Sequence, residues 1–258
     1  MRRSRAAAVA GLALLTASAL GAQTDSAIAR DSLPRRPLFT PTIAITGGAF
    51  LAGAGIVAPF DRRITDRARA RWLQQNGGLR HAADAVDFGI GSPGAIVISG
   101  GVYVAGLLAH DRPLAGVGID LGEAVVAAGA TTELIKVIAG RARPSQRPED
   151  PWDWGFGRGL SRDGYASFPS ASTTLAFALA SAASIDAARA WPRHRALWPI
   201  LFYTAATAAA AGRVYRNDHW ASDVVAGAGV GTLGGLLATR FNILHPNNPI
   251  RRWFLPSP

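Results

Sequence analysis

Cysteine is absent. That excludes disulfides, a thiolate metal site and a thiol nucleophile, and it fits any compartment. Lysine is almost absent: of 27 basic residues, 26 are arginine and one is Lys136. A chain that uses arginine wherever a cation will serve places its lone lysine where a compact ammonium is wanted rather than a planar fork. The five histidines are scattered without metal-ligand spacing, so neither a metal nor another cofactor is expected. Sustained strand alternation and long repeats are missing as well, which leaves helices.

What is present is apolar and basic. Hydrophobic residues make up 49% of the 258, enough for a large core or for spanning a bilayer. A formal charge of +10 and a pI near 11.3 raise nucleic-acid binding first. The arginines cluster at the ends of apolar runs, however, and not along one stripe with interleaved aromatics. No nucleic-acid partner is therefore expected; membrane contact or anion-binding loops fit better.

Along the chain, residues 1–22 read as an export signal, with Arg2, Arg3 and Arg5 before the apolar run Ala6–Leu20. An uncleaved N-terminal anchor is the alternative. Residues 23–36 form a polar linker. Pro37 to Phe60 carries no charge, and Thr42–Ala58 predicts a helix of spanning length. Asp61–Arg80 carries six arginines and reads as an interfacial helix broken at Asn76-Gly77-Gly78. Further helices are expected over Phe88–Ala109, Leu114–Gly140, from Ser170 to about Ile185, over Ala196–Gly212 and from about His219 to Thr239. The expected fold is all-α: a six-helix bundle over residues 37–241, followed by a polar, basic tail over residues 242–258.

Three polar stretches punctuate these helices, and connectivity puts all three at one end. Lys136 and Arg143 flank the end of the third helix, seven apart, on one face if the helix persists that far. Ser170 and Ser172 open the fourth, where free N–H groups favour an anion. Gly212–Asp223 joins the fifth to the sixth and holds Arg213, His219 and Asp223. His219 and Asp223, four apart, share a helical face. A carboxylate can fix an imidazole's tautomer and raise its basicity. Together these stretches describe a site for a tetrahedral oxyanion, with cations to neutralise it and a histidine to attack it.

The stretches resemble the three motifs of the type 2 phosphatidic acid phosphatase (PAP2) superfamily, which shares its core with vanadium haloperoxidases and bacterial class A acid phosphatases. Lys136, six residues and Arg143-Pro144 match the first motif. Pro169-Ser170-Ala171-Ser172 matches Pro-Ser-Gly-His in part. Gly212-Arg213, five residues, His219, three residues and Asp223 match the third, with glycine in place of serine. The resemblance implies a metal-independent phosphatase that forms a phosphohistidine. It implies phosphate binding by Lys136, Arg143, Ser170 and Arg213, attack by His219, and Asp223 as the orienting partner. The general-acid position of the second motif is degenerate, occupied here by Ser172.

A serine does not act as a general acid near neutral pH, and such help is typically worth about 10²–10⁴ in rate. Loss matters most for an alkoxide leaving group and least for a phosphate. The implied substrates are a phospholipid or a polyprenyl phosphate or diphosphate, with a bias toward diphosphates. A catalytically impaired phosphate- or phospholipid-binding relative is the alternative, as is a donor supplied elsewhere by His81, His110, Glu149 or Asp153. Placement is expected in a bacterial-type cell membrane, on either side, with a soluble periplasmic phosphatase-like bundle as the alternative.

Overall fold

Local signals start most of the helices. The Thr40 hydroxyl accepts the Ile43 N–H at 3.3 Å, and Pro41 opens α1 (Pro41–Val57). A 3-10 turn over Ala58–Phe60 carries the chain into α2 (Asp61–Ala68), followed by the single turn α3 (Arg71–Gln74). Asn76 caps α4 (Gly77–Ile90) by accepting the Leu79 N–H at 3.1 Å. The helix expected from Phe88 is thus two helices: α4 and α5 (Ser92–Leu108) meet at Gly91 with a bend of 43°. Pro93 in the first turn of α5 cannot continue the hydrogen-bond ladder of α4. Asp111 caps α6 (Arg112–Ala139), accepting the Leu114 N–H at 2.9 Å.

Alpha-helix α6 stops at Gly140, whose φ of +53° is left-handed. A Cβ there would collide with the carbonyl of Gly155, so the turn needs glycine twice over. Next come α7 (Ala171–Ala190), α8 (Leu197–Tyr215), α9 (Ala221–Leu244) and the short α10 (Pro249–Phe254). The computed structural model describes residues 37–160 and 163–255. The leader expected over 1–22 and the linker 23–36 lie outside the described residues. Within the stretch expected as a tail, α9 persists to Leu244 and α10 follows, Asn248 capping it through the Arg251 N–H at 3.0 Å.

Among the described residues the fold is all-α, as the sequence predicts. Helix α7 is central and packs on α6, α8 and α9. It is buried around most of its circumference because small residues let its neighbours approach closely. One core cluster joins Ala95, Leu121, Ala124 and Ala128 to Leu175, Ala178 and Ala182. A second joins Ala176, Phe177 and Ala180 to Ala206, Ala209 and Ala210. Four helices are long and apolar enough to cross a membrane: Pro41–Ala68 taken as one, α6, α7 and α9. The bent α4–α5 pair makes five if it counts as one span. The outward residues Ile45, Leu51 and Ile56 of α1 are about 70% exposed, an apolar face with no protein against it.

Helix α6 ends, α7 begins, α8 ends and α9 begins at the same end of the bundle. The Ser170 N–H donates to the Asp223 carbonyl at 3.1 Å, and the buried Trp220 indole N–H to the Ala142 carbonyl at 2.8 Å. The opposite end has its own buried polar group. Asn242 donates to Asp120 at 2.9 Å and to Glu123, Asn248 donates to Asn242 at 2.7 Å, and Arg251 donates to Asp120. These bonds dock α10 against α6 and α9.

Candidate active site

His219 is not on α9. It precedes Trp220, the N-cap, so it and Asp223 do not share a helical face as their spacing predicts. Asp223 instead turns back to cap its own helix, accepting the Trp220 N–H at 2.9 Å. Its other partners are the Ser167 hydroxyl at 2.6 Å and Arg141 at 2.5 Å. The nearer partner of the imidazole is the Ser167 carbonyl, 2.7 Å from Nδ1, while the Asp223 carboxylate stands 3.9 Å away. A carbonyl only accepts, so Nδ1 carries the proton and Nε2 presents its lone pair. Asp223 acts on the ring through its charge at that distance.

His219 is 2% exposed. Burial pushes its imidazole below the ordinary histidine value. The Asp223 carboxylate pulls upward, and the Arg143 and Arg213 guanidiniums push down further. The ring is thus neutral near pH 7, the form a nucleophile requires.

The three cations of the site are held differently. Arg143 lies beyond the helix end at Gly140, on an irregular segment and not on the α6 face that spacing suggests. Its backbone N–H donates to the Gly164 carbonyl at 2.8 Å, and its side chain to the carbonyls of Asp163 at 2.9 Å and Asp218 at 3.2 Å. Arg213, in the last turn of α8, pairs with Asp87 at 3.0 Å and Asp218 at 3.1 Å. Lys136, in the last turn of α6, pairs with Glu133 at 2.9 Å; no hydrogen bond or ion pair ties it to the other five site residues. Ser170 is fully buried at the N-cap of α7, its hydroxyl accepting from Thr173 at 3.0 Å. Arg143, Arg213, Ser170, His219 and Asp223 therefore gather around one helix start, with Lys136 at the adjoining helix end.

Ser172 has another serine beside it. Ser172 Oγ lies 3.3 Å from Ser92 Oγ, at the start of α5. None of the alternative donors is shown in contact with this pair. His81 and Glu149 are exposed, and Asp153 is held by Arg158 at 2.6 Å. His110 is exposed beside the N-terminus of α6, roughly 40 Å along that helix from the site end.

Sequence reasoning passed over the group that holds the site together. Arg141, 1% exposed, lies between two fully buried carboxylates, Asp223 and Asp61, bonding the latter at 2.8 Å. It also donates to the Ser222 hydroxyl at 2.8 Å and to the Pro151 carbonyl at 2.7 Å. Asp61 in turn accepts the Ser222 N–H at 2.8 Å. Two oppositely charged neighbours and saturated hydrogen bonding are what a buried guanidinium requires. The adjacency of Arg141 to the first motif was the only available signal. Asp61 and Ser167 offered none.

Residues 118–244, spanning all three polar stretches, match the family model of the PAP2 superfamily. The comparisons support membership of the PAP2 superfamily. Over 86 residues it is 40% identical to a lipid A 1-phosphatase of Porphyromonas gingivalis, covering 33% of this chain and 18% of that protein. It thus spans less than a fifth of the length of the curated relative it matches. Among solved structures it is similar to a transmembrane PAP2-type phosphatidylglycerolphosphate phosphatase from Bacillus subtilis. The identity is 18% and the TM-score 0.39, over 77% of this chain and 96% of that one.

Proposed function

We propose that the chain is a membrane-embedded phosphatase of lipid phosphates or diphosphates that works through a phosphohistidine. The observation that carries this reading is the Nδ1 bond from His219 to the Ser167 carbonyl at 2.7 Å. It leaves Nε2 unprotonated, with the charges of Arg143 and Arg213 acting on the ring. Family membership, apolar helices of spanning length and the lipid A 1-phosphatase likeness support the lipid class of substrate.

In this mechanism Arg143, Arg213 and Lys136 take the phosphoryl oxygens, with Ser170 and the free N–H groups of α7 beside them. His219 Nε2 attacks phosphorus, the P–O bond to the leaving group breaks, and a P–N bond forms. Asp223, held by Arg141 and Ser167, offsets the positive charge that then develops on the imidazole. Water cleaves the P–N bond and releases phosphate. Phosphate must compete with Asp87 and Asp218 for Arg213 and with Glu133 for Lys136.

The Ser92–Ser172 pair supplies no proton near neutral pH, so the leaving group has to depart largely unaided. Diphosphates, whose leaving group is a phosphate, are the favoured substrates. The test is turnover of the purified chain on alkyl monophosphates and diphosphates, with His219→Ala as control and an alkaline denaturing quench that searches for base-stable, acid-labile phosphate on the protein. Diphosphate turnover faster by at least about tenfold is expected. No turnover and no trapped phosphohistidine on either class would overturn the catalytic reading and leave a phosphate-binding relative.

A further inference from the structure

The arginines of the candidate site are engaged by acids or carbonyls; those of α2 are not. Arg62, Arg63 and Arg67 stand exposed on this one short helix, and none makes an ion pair among the described residues. Arg63 and Arg67 are four apart, a spacing at which like charges repel. The three line an open groove of about 650 Å³, with Asp66 beside them and Pro59 and Phe60 at its other end.

The place of this groove decides what fits it. Helix α2 follows α1 with only the turn Ala58–Phe60 between, and the outward face of α1 is apolar along Ile45, Leu51 and Ile56. Phe60, half exposed, marks the junction, and Trp72, 73% exposed, lies a few residues past the arginines. Apolar face, aromatic, arginines, aromatic is the order met on passing from hydrocarbon into the headgroup layer. The lining joins the apolar Pro59 and Phe60 to the cationic Arg62, Arg63 and Arg67, a match for hydrocarbon beside negative charge. A free anion would use only the arginines.

We propose that the α2 groove binds an anionic phospholipid of the surrounding bilayer, its headgroup phosphate on Arg62, Arg63 and Arg67 and its chain along Phe60 and α1. The proposal rests on the membrane-embedded reading and is independent of phosphatase chemistry. It bears on the site nonetheless. The same helix supplies Asp61 to Arg141, and Arg69 just beyond it donates to Asn217 at 2.9 Å and to the Pro144 carbonyl at 2.7 Å. A lipid seated on α2 braces the helix against which the His219 loop is held.

The absence of cysteine makes the test clean. The full chain carrying Gln75→Cys, an exposed position past the groove, takes a single fluorophore and is placed in phosphatidylcholine nanodiscs. A small fraction of phosphatidylglycerol or phosphatidylcholine bears a nitroxide high on its acyl chain. Phosphatidylglycerol should quench more strongly at equal mole fraction. The triple substitution R62Q/R63Q/R67Q should cut that preference about tenfold or to parity. R193Q/R195Q, in the turn at the opposite end, should leave it unchanged. Equal quenching by both lipids, a preference intact in the α2 triple variant, or its removal by millimolar inorganic phosphate would each overturn the proposal. Leu51→Cys, on the outward face of α1, reports the underlying reading separately. Failure of chain-borne nitroxides to quench it would overturn membrane embedding, and the lipid site with it.

Discussion

Two buried polar groups sit at opposite ends of a bundle otherwise packed with alanine and glycine. At the site end, Arg141 joins Asp61 and Asp223, and each carboxylate has further partners in Ser222, Ser167 or the Trp220 N–H. At the far end, Arg251 and Asn242 meet Asp120 and Glu123, but one oxygen of Glu123 and one of the neighbouring Asp186 have no partner. Arg251 is 18% exposed where Arg141 is 1%. The first group is closed and buried and fixes the loop that holds His219. The second is open and docks a terminal helix. A buried ion network costs desolvation, so one that is fully satisfied buys position rather than stability.

The comparison is broken most sharply by removing His219, the proposed attacking group. His219→Ala should lower turnover at least about 10⁴-fold while the fold survives, because the imidazole ends the network and supports nothing beyond it. Turnover on a lipid phosphate, with a thermal melt of the same sample, separates the two effects. Activity within tenfold of the parent would remove His219 from the chemistry.

Next in size is the contrast between the two arginines. Arg141→Met leaves Asp61 and Asp223 buried without their cation, a loss of about 3–5 kcal/mol, enough to abolish the folded chain in a marginal bundle. Arg251→Met removes a partly exposed cation and leaves the buried Asp120 still bonded to Asn242, a loss of about 1–3 kcal/mol with turnover kept. Unfolding by denaturant in detergent measures both. Equal losses at the two ends would show that the closed and open networks do not differ.

How much of this was legible beforehand follows from the range of each interaction. The Lys136–Pro144 and Gly212–Asp223 stretches read correctly as loop-adjacent and co-located, because helix connectivity alone brings them to one end. Their internal geometry did not read, because both helical-face arguments assumed helices that stop short: α6 ends before Arg143, and α9 begins after His219. The Asp61–Ser222 contact spans 161 residues and follows no sequence period. Ser167 acts on His219 through a backbone carbonyl, which every residue carries and which therefore leaves no trace in residue type.

A smaller effect belongs to the proton donor. Ser172→His should raise turnover of an alkyl monophosphate about tenfold or more and leave a diphosphate nearly unchanged. Ser92 at 3.3 Å must yield to the larger ring, so Ser92→Gly in the same chain should recover the gain if crowding masks it. An equal rise for both substrates would mean that the histidine orients phosphate and does not protonate a leaving group.

The smallest expected effect is in the pH profile, and it tests whether the closed network reaches the imidazole. His219 must be neutral to attack, so kcat/KM falls as pH drops through its folded value. Burial, followed by the charges of Arg143 and Arg213, sets that value below the ordinary histidine value, and Asp223 partly restores it. The acid limb should therefore lie below about pH 6.5. Stability should follow the same sign: the unfolded chain binds the proton more readily, so the bundle loses stability as pH falls from the ordinary histidine value toward the folded one. Asp61→Asn removes one carboxylate from Arg141 and lets the guanidinium draw more fully on Asp223. Less negative charge then reaches the ring, and the acid limb should move to lower pH by a fraction of a unit with a modest fall in kcat. A purely structural Asp61 would lower the folded fraction and leave the limb where it was.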